Sequence, residues 1–321
     1  MTAALAVEDL TVRFRASGRL TAWLEGTSGW IEAVAGVSFS VAEGETYALV
    51  GESGSGKTTL ARAVGGLLPI HSGSIRFRGR EIAEMSAAEL VSFRSELAMM
   101  FQDPVGSLSP RLTVSALLAE PFKVHGRGGD LKAEAERLLG LVGLPAGFAS
   151  RYPHQLSGGQ ARRVGVARAL ALEPAMVIAD EPTAGLDVSI QGEVLNLLNA
   201  LQDRMGLTIL IITHNLNVVR HVAGRMGIMY LGRIVEEGTT EEIFDHPRHP
   251  YTLALLSANP EPDPDAVHDR ITLKGDVPSL LNRPSGCEFH TRCPFVQDKC
   301  RIDAPAMVQE NGRRFSCHFP R

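Results

Sequence analysis

Cysteine and tryptophan are scarce in this 321-residue sequence: it holds two tryptophans and four cysteines, and the four cysteines all lie after residue 286. In a reducing compartment such clustered cysteines indicate a metal site or free thiols before they indicate disulfides. No apolar run approaches the ~20 residues that span a bilayer, and the longest, "LTILIIT", is strand-sized. The N-terminus lacks the basic start and long apolar stretch of an export signal. The sequence therefore predicts a cytosolic chain, which can still sit against a membrane protein.

An excess of charge of one sign is also missing: 32 basic and 36 acidic residues give a net charge of −4. This balance argues against a nucleic-acid binder held by bulk charge. The hydrophobic content of 44% and charged content of 21% are ordinary for a soluble globular protein. The length allows a large core with a smaller appendage.

The pattern along the chain predicts an α/β fold with an extension. "ETYALVG", "AMVIAD" and "LTILIIT" have the continuous apolar character of buried parallel strands, and residues of about 103–165 have helical spacing. "RMGIMYLGRIVEEG" predicts a hairpin, and "TTEEIFDH" a short capped helix. Residues 260–321 hold eight of the 18 prolines and all four cysteines, so we place a boundary near 255.

A glycine-rich phosphate loop follows the first buried strand. "GESGSGKT" fits G-x-x-x-x-G-K-[ST] and lies between a strand and a helix, which is the context that supports the motif. Its backbone N–H groups close on phosphate oxygens, Lys57 reaches the β- and γ-phosphates, and the Thr58 hydroxyl ligates Mg²⁺. The predicted phosphate-binding set is Gly51, Ser53, Gly54, Ser55, Gly56, Lys57, Thr58 and Thr59.

Two acids and a histidine end the later strands. Asp180 is expected to hold Mg²⁺, and Glu181, on the opposite side of its strand, is expected to polarise the attacking water. His214 ends the neighbouring strand and is positioned to hydrogen-bond the γ-phosphate. Taken alone, Asp-Glu-Pro could simply begin a turn, and a histidine at a strand end is more often structural.

A second glycine turn, "LSGGQ", begins a helix at Ser157 without a lysine or metal ligand beside it. Alone it would bind phosphate weakly, but it makes sense if it closes over a nucleotide already held by another phosphate loop. Two chains arranged head to tail would each cover the other's ATP. The residues assigned to this second cradle are Ser157, Gly158, Gly159 and Gln160.

These motifs, in this order over residues of about 1–250, resemble the ATP-binding cassette (ABC) superfamily. The resemblance implies a RecA-like P-loop core, an antiparallel β subdomain, a helical subdomain at about 103–165 and ATP-driven closure of a cassette dimer. It also implies that Gln102 takes part in catalysis, ligates Mg²⁺ and lies where the permease docks. Asp187 would lie in the loop that crosses the dimer interface. Phe14 fits the aromatic position that stacks on adenine, with Trp30 as the fallback. One departure is Ala161-Arg162-Arg163, where the family usually has Arg-Gln-Arg; no loss of activity is expected from it.

The stretches "YPHQLSGGQ" and "HPRHPYTLALLSANP" resemble ATPase subunits of dipeptide/oligopeptide importers, a branch that also handles nickel. This implies a second ATP-binding subunit that is a paralogue, together with two permease subunits and an extracytoplasmic solute-binding protein. Both half-sites of this chain look intact, so the sequence itself also permits pairing with a second copy. Nucleic acid is not an expected partner. The expected location is the cytoplasmic face of the plasma membrane. A soluble ABC ATPase of translation or DNA repair is the alternative, and a P-loop kinase would leave "LSGGQ" without a role.

The four cysteines of the tail are Cys287, Cys293, Cys300 and Cys317. Their spacing is too long for the short knuckles of common zinc or ferredoxin sites, so it does not identify a metal. The tail has little to bury, and metal binding would stabilise its fold. The resemblance favours a [4Fe–4S] cluster over zinc or free thiols. His290 and His318 are further potential zinc ligands.

Overall fold

The computed structural model of the chain describes residues 3–15, 29–101, 103, 106–259 and 270–321. The described residues form two compact units, the first drawn from Met1–Leu5, Val41–Thr46 and Phe77–Ile212, the second from Ala6–Ser40, Tyr47–Arg76 and Thr213–Arg321. Gln102 lies outside the described residues, as does most of the loop that follows Arg15.

The elements follow one another with strands and helices interleaved. In chain order they are β1 (Ala3–Arg15), β2 (Trp30–Ala42), β3 (Thr46–Val50), α1 (Lys57–Val64), β4 (Ser72–Phe77), β5 (Arg80–Glu81), α2 (Ala87–Glu96), β6 (Leu97–Met100), α3 (Val114–Val124), α4 (Leu131–Leu141), α5 (Gly158–Ala169), β7 (Met176–Asp180), α6 (Val188–Met205), β8 (Thr208–Thr213), α7 (Leu216–Val222), β9 (Arg225–Tyr230), β10 (Arg233–Thr239), α8 (Thr240–Asp245), α9 (Pro250–Ser257), α10 (Asp298–Ile302), β11 (Val308–Glu310) and β12 (Arg313–Phe315).

The first unit is built on three parallel strands in the order β8-β7-β6. Every residue of β7 and β8 is buried, which explains their continuous apolar sequences, because parallel strands are covered on both faces. Helices α3, α4 and α5 pack on one another through buried aliphatic side chains that include Leu117, Leu138 and Val164. This confirms the predicted helical segment.

The second unit contains a mixed sheet in the order β11-β12-β10-β9-β3. Strands β9 and β10 form an antiparallel hairpin, as predicted, and β3 runs parallel to β9. Strands β2, β1 and β4 are neighbours in a second sheet. The short helix α8 begins at a capping box in which Thr239 and Glu242 satisfy each other's backbone N–H groups, which confirms the predicted cap.

The cysteine-bearing extension is tied into the second unit through β12, which pairs with β10. Glu236 on β10 is fully buried and accepts hydrogen bonds from the Arg313 guanidinium and from the backbone N–H groups of Arg248 and His249. A buried carboxylate is tolerated only when it is satisfied in this way. Phe289 of the extension is 2% exposed. Within the residues that the structure describes, no helix is both long and apolar enough to cross a membrane.

Candidate functional site

The phosphate loop occupies the turn between β3 and α1. Its backbone is left-handed at Gly54 (φ 80°) and at Gly56 (φ 101°), conformations that only glycine adopts readily. A Cβ on Gly51 would lie 2.2 Å from the Met229 carbonyl oxygen, so this glycine is also required by the close approach of β9. Ser53 and Gly54 are exposed at the tip of the loop. The loop therefore presents backbone N–H groups at a helix N-terminus, which suits an anion.

Lys57 lies across this loop and is 7% exposed. Its ammonium group donates to the carbonyl oxygens of Gly51 at 2.7 Å and Glu52 at 2.9 Å, and to Ser55 Oγ at 3.3 Å. These acceptors place the lysine charge inside the curve of the loop, next to the half-buried Thr58 and Thr59. This is the arrangement expected of a lysine that exchanges loop carbonyls for phosphate oxygens.

The two acids lie at the carboxyl end of β7, in the first unit. Asp180 is 2% exposed, whereas Glu181 is half-buried. Glu181 has a left-handed backbone (φ 50°), and its N–H donates to the Ile212 carbonyl oxygen at 2.8 Å. Non-glycine residues adopt this conformation at a cost and cluster at functional sites. Glu181 thus lies in the turn after β7, not on the strand beside Asp180 as the sequence pattern predicts. The two carboxylates differ in burial, which suits separate roles in metal binding and in polarising water.

His214 directly follows β8 and is exposed. The next residue, Asn215, caps α7 by accepting from the N–H groups of Asn217 and Val218, which fixes the chain direction after the histidine. His214 therefore lies at the end of a strand, and its contact with the γ-phosphate stays a prediction.

The second glycine turn begins α5 in the first unit. Ser157 accepts from the Gln160 N–H at 3.3 Å, and the Gln160 side chain accepts from the Ser157 N–H at 3.0 Å. Ser157 and Gly158 are nevertheless exposed, so this helix N-terminus faces outward. Asp187 precedes α6 without capping it through its side chain, and Val188 is 84% exposed. Exposed groups therefore lie at the starts of both helices.

Arg162 is a residue whose role the sequence did not reveal. It is 4% exposed, and its guanidinium donates to the Pro182 carbonyl oxygen and, at 2.9 Å, to that of Ala184. It therefore holds the segment that follows Glu181 against the helix that begins at Ser157. Its departure from the usual family residue is the only signal that could have drawn attention to it.

Replacing Arg162 with alanine is expected to destabilise the protein by about 2–4 kcal/mol, because one buried and one partly buried carbonyl group lose a charged donor. The matched control is Arg163→Ala. The neighbouring guanidinium makes a more exposed ion pair with Glu193 at 2.7 Å and one long hydrogen bond, of 3.3 Å, to the Val142 carbonyl oxygen. Its loss should therefore cost less, about 1 kcal/mol. Denaturant unfolding of both variants measures the difference. Equal, small losses would show that the Arg162 hydrogen bonds do not hold this segment.

The candidate adenine-stacking rings lie at the ends of neighbouring strands in the second unit. Phe14, near the end of β1, is 39% exposed, and Trp30, at the start of β2, is 48% exposed. The Arg15 guanidinium lies 6.0 Å from the centre of the Trp30 ring. Both rings are exposed, and the choice between them as the adenine-stacking residue stays a prediction.

The four cysteines come together around one small cavity, which is also lined by phenylalanine and histidine side chains. All four are free thiols. The Cys287 N–H donates to the Cys300 carbonyl oxygen at 2.8 Å, so the two segments are joined by their backbones as well. Burial raises the pKa of Cys287 to about 11 and also raises the pKa values of Cys293 and Cys317. These three thiols are therefore protonated at neutral pH unless a cation is bound.

The histidines near the cysteines are engaged with backbone groups. His290 Nδ1 lies 2.9 Å from the Cys287 carbonyl oxygen, and His318 Nε2 lies 2.8 Å from that of Asp303. Burial lowers the pKa of His249 to about 3, so this ring is neutral. Among the described residues, no group of three or more histidine, cysteine or acidic side chains is arranged to hold a single metal ion.

A strand leading into a lysine-bearing phosphate loop, a paired acid at a later strand end and an exposed glycine turn define an ATPase of the ATP-binding cassette class. Residues 34–184 match the ABC transporter family, and residues 235–300 match the C-terminal region of oligopeptide/dipeptide transporters. The oligopeptide transport ATP-binding protein AppF of Bacillus subtilis is 46% identical over 297 residues, which cover 91% of this chain and 90% of that protein. The chain belongs to the ABC transporter family, as one of its ATP-hydrolysing subunits.

Two solved structures show the same fold. The cassette MJ0796, solved as a dimer in a post-hydrolysis state with ADP and Pi, is 28% identical with a TM-score of 0.64, covering 74% of this chain and 98% of that one. Clostridium perfringens cbiO1, part of the cbiONQ transporter complex, is 28% identical with a TM-score of 0.65, covering 76% of this chain and 92% of that one. The RecA-like fold expected from the resemblance is thereby confirmed.

Proposed function

We propose that the chain is the ATPase subunit of an importer that carries di- and oligopeptides. The observation that carries the proposal is the joining of a complete set of cassette motifs to a C-terminal region of the oligopeptide/dipeptide type. Relatives named for oligopeptide and peptide import, which match most of the chain, support the same substrate class. They do not favour a soluble ABC ATPase of translation or DNA repair.

The residues of the site have separate roles in ATP binding and hydrolysis. The phosphate loop and Lys57 bind the β- and γ-phosphates, and Phe14 or Trp30 stacks on adenine. Thr58, Asp180 and Gln102 would hold Mg²⁺, which when bound neutralises phosphate charge. The donors fit this ion, because hydroxyl, carboxylate and amide oxygens are its preferred ligands. Glu181 polarises the attacking water, and His214 donates a hydrogen bond to the γ-phosphate.

A second cassette completes the site. Ser157, Gly158 and Asp187 are exposed in this chain, next to the 84% exposed Val188. This face covers the nucleotide that is bound by a partner cassette. The second glycine turn of the partner covers the nucleotide bound by this chain in return. The dimeric MJ0796 cassette supports this arrangement. The partner is a paralogue or a second copy, and ATP bound between the two favours the closed state by its higher affinity for that state.

The permease is proposed to dock on the first unit at the cytoplasmic face of the plasma membrane. A groove there runs along β6 beside Phe101 and is lined by Met99, His125 and Arg168. Gln102 follows this groove directly in the sequence. Two permease subunits and an extracytoplasmic solute-binding protein complete the proposed importer, and closure of the cassettes drives its conformational switch.

Transport of peptides is tested with the whole complex in vesicles. ATP hydrolysis should rise when the solute-binding protein is loaded with short peptides, and it should respond little to single amino acids or Ni²⁺. Mass spectrometry of the ligand released from the freshly purified binding protein provides the independent identification. Stimulation by Ni²⁺ alone would assign the chain to a different substrate.

The cysteine site is proposed to hold a [4Fe–4S] cluster, with zinc as the alternative. Four thiols from a segment of about 30 residues face one cavity walled by aromatic rings. This number of sulfur donors fits a cluster with one cysteine on each iron. Bound there, the cluster would cross-link the extension. The backbone contacts of His290 and His318 favour an all-cysteine ligand set.

Chain purified without oxygen is expected to contain about four iron and four sulfide per chain, with the broad visible absorption of an iron–sulfur cluster. Cys300→Ser should lose the iron and lower the melting temperature, because Cys300 is the most buried of the four. His290→Asn is the control and should keep it. One zinc per chain and no iron would contradict the cluster.

A further inference from the structure

The C-terminal extension reaches the phosphate loop through one ion pair. Arg292 Nη1 lies 2.8 Å from Glu52 Oε2, and its Nη2 lies 3.1 Å from Glu52 Oε1, in a two-pronged contact between residues 240 apart. The Arg292 side chain is 9% exposed and that of Glu52 is 27% exposed. A pair of this geometry and burial is screened far less than a surface ion pair.

The backbone of Glu52 is held from the same side. Its N–H donates to the Tyr251 hydroxyl at 2.9 Å. Tyr251 is fully buried and packs against Tyr230 at 4.7 Å and against Phe289 of the extension at 5.4 Å between ring centres. The entrance of the phosphate loop is thus fixed by residues that come two hundred positions later in the chain.

Glu52 places a negative charge in a loop that binds anions. Its carbonyl oxygen accepts from the Lys57 ammonium group at 2.9 Å, so its peptide belongs to the phosphate-binding loop itself. An unpaired carboxylate at this position would repel a triphosphate, and in a partly buried site one unit charge has an appreciable effect. The Arg292 guanidinium cancels that charge and holds the carboxylate in one orientation.

We propose that Arg292 is a positioning residue for the ATP site: it neutralises Glu52 and fixes the entrance of the phosphate loop, so that the extension sets the affinity for ATP. Arg292 directly precedes Cys293, so the same pair links the loop to the segment that carries the cysteines. Binding of ATP by the wild-type chain is part of the proposed function, and only differences among variants bear on Arg292.

The test compares Arg292→Ala, Glu52→Gln and the double variant in the full-length chain, by ATP titration with a fluorescent analogue and by thermal unfolding. Arg292→Ala should raise the Kd for ATP about three- to tenfold, the scale of one screened charge near the phosphates. Glu52→Gln leaves the Arg292 cation unpaired and should therefore keep or lower the Kd, and adding it to Arg292→Ala should restore most of the affinity. Rescue by removing a charge distinguishes electrostatic positioning from a merely structural role.

The matched control is Arg248→Ala, which removes another ion pair of the extension, with Glu310 at 2.8 Å, away from the phosphate loop. It should leave the Kd for ATP unchanged. If Arg292→Ala does not fold, Arg292→Gln carries the same comparison, since it keeps bulk and hydrogen-bonding capacity. A lower melting temperature with an unchanged Kd, or a double variant as weak as the Arg292 single variant, would overturn the proposal.

Discussion

Replacing Glu181 with glutamine is expected to slow ATP hydrolysis by about 10²–10⁴-fold, the usual contribution of a positioned general base. Glutamine keeps the size of the side chain but cannot accept the proton of the attacking water. Binding residues are untouched, so the variant should accumulate as an ATP-bound cassette pair. Phosphate release measures the rate, and size-exclusion chromatography with ATP measures the pairing.

Glu173→Gln provides a matched control for this variant. Glu173 also has a left-handed backbone, with φ 54°, and it lies exposed in the same unit. The same loss of charge at the same kind of backbone position should leave hydrolysis unchanged. A Glu181→Gln variant that kept near-normal turnover would remove Glu181 from its role.

The second large effect is expected for Ser157→Arg, which should reduce hydrolysis by more than about 100-fold at unchanged ATP binding to the isolated chain. A long cation at this exposed helix start blocks the approach of a partner's nucleotide and displaces the hydroxyl that would contact it. The loss falls on transition-state stabilisation, because an uncovered nucleotide stays open to water and lacks the second set of donors.

Loss of the helix cap is a separate effect of the same substitution, worth about 0.5–2 kcal/mol of stability. Ser86→Arg isolates it, because Ser86 also begins a helix with a capping box, formed with Glu89. Both variants should lose similar stability by thermal unfolding, and only Ser157→Arg should lose hydrolysis. Equal activity of the two variants would show that the second glycine turn has no part in the reaction.

Much of the fold follows from local sequence pattern. The buried strands β3, β7 and β8 are continuous apolar runs, and parallel strands covered on both faces require such runs. The helix starts at Ser157 and Thr239 follow from capping chemistry that lies within four residues. The phosphate loop is also a local sequence pattern, so each of its residues could be identified from the sequence.

Features that depend on distant parts of the chain could not be predicted. The contact of Arg292 with Glu52 joins two loops whose sequences give no sign of each other. The convergence of the four cysteines depends on how the turns of the extension close, and their spacing matches no common metal motif. The hydrogen bonds of Arg162 depend on the packing of α5 against the segment after β7.

The division of roles among the site residues rests on a pairing of two cassettes. The most direct test is the rate of ATP hydrolysis per chain as a function of chain concentration, measured with and without the partner ATPase subunit. A shared site predicts that the rate per chain falls toward zero on dilution and recovers when the partner is added. A constant rate per chain down to concentrations at which only monomers exist, shared equally by Ser157→Arg, would contradict it.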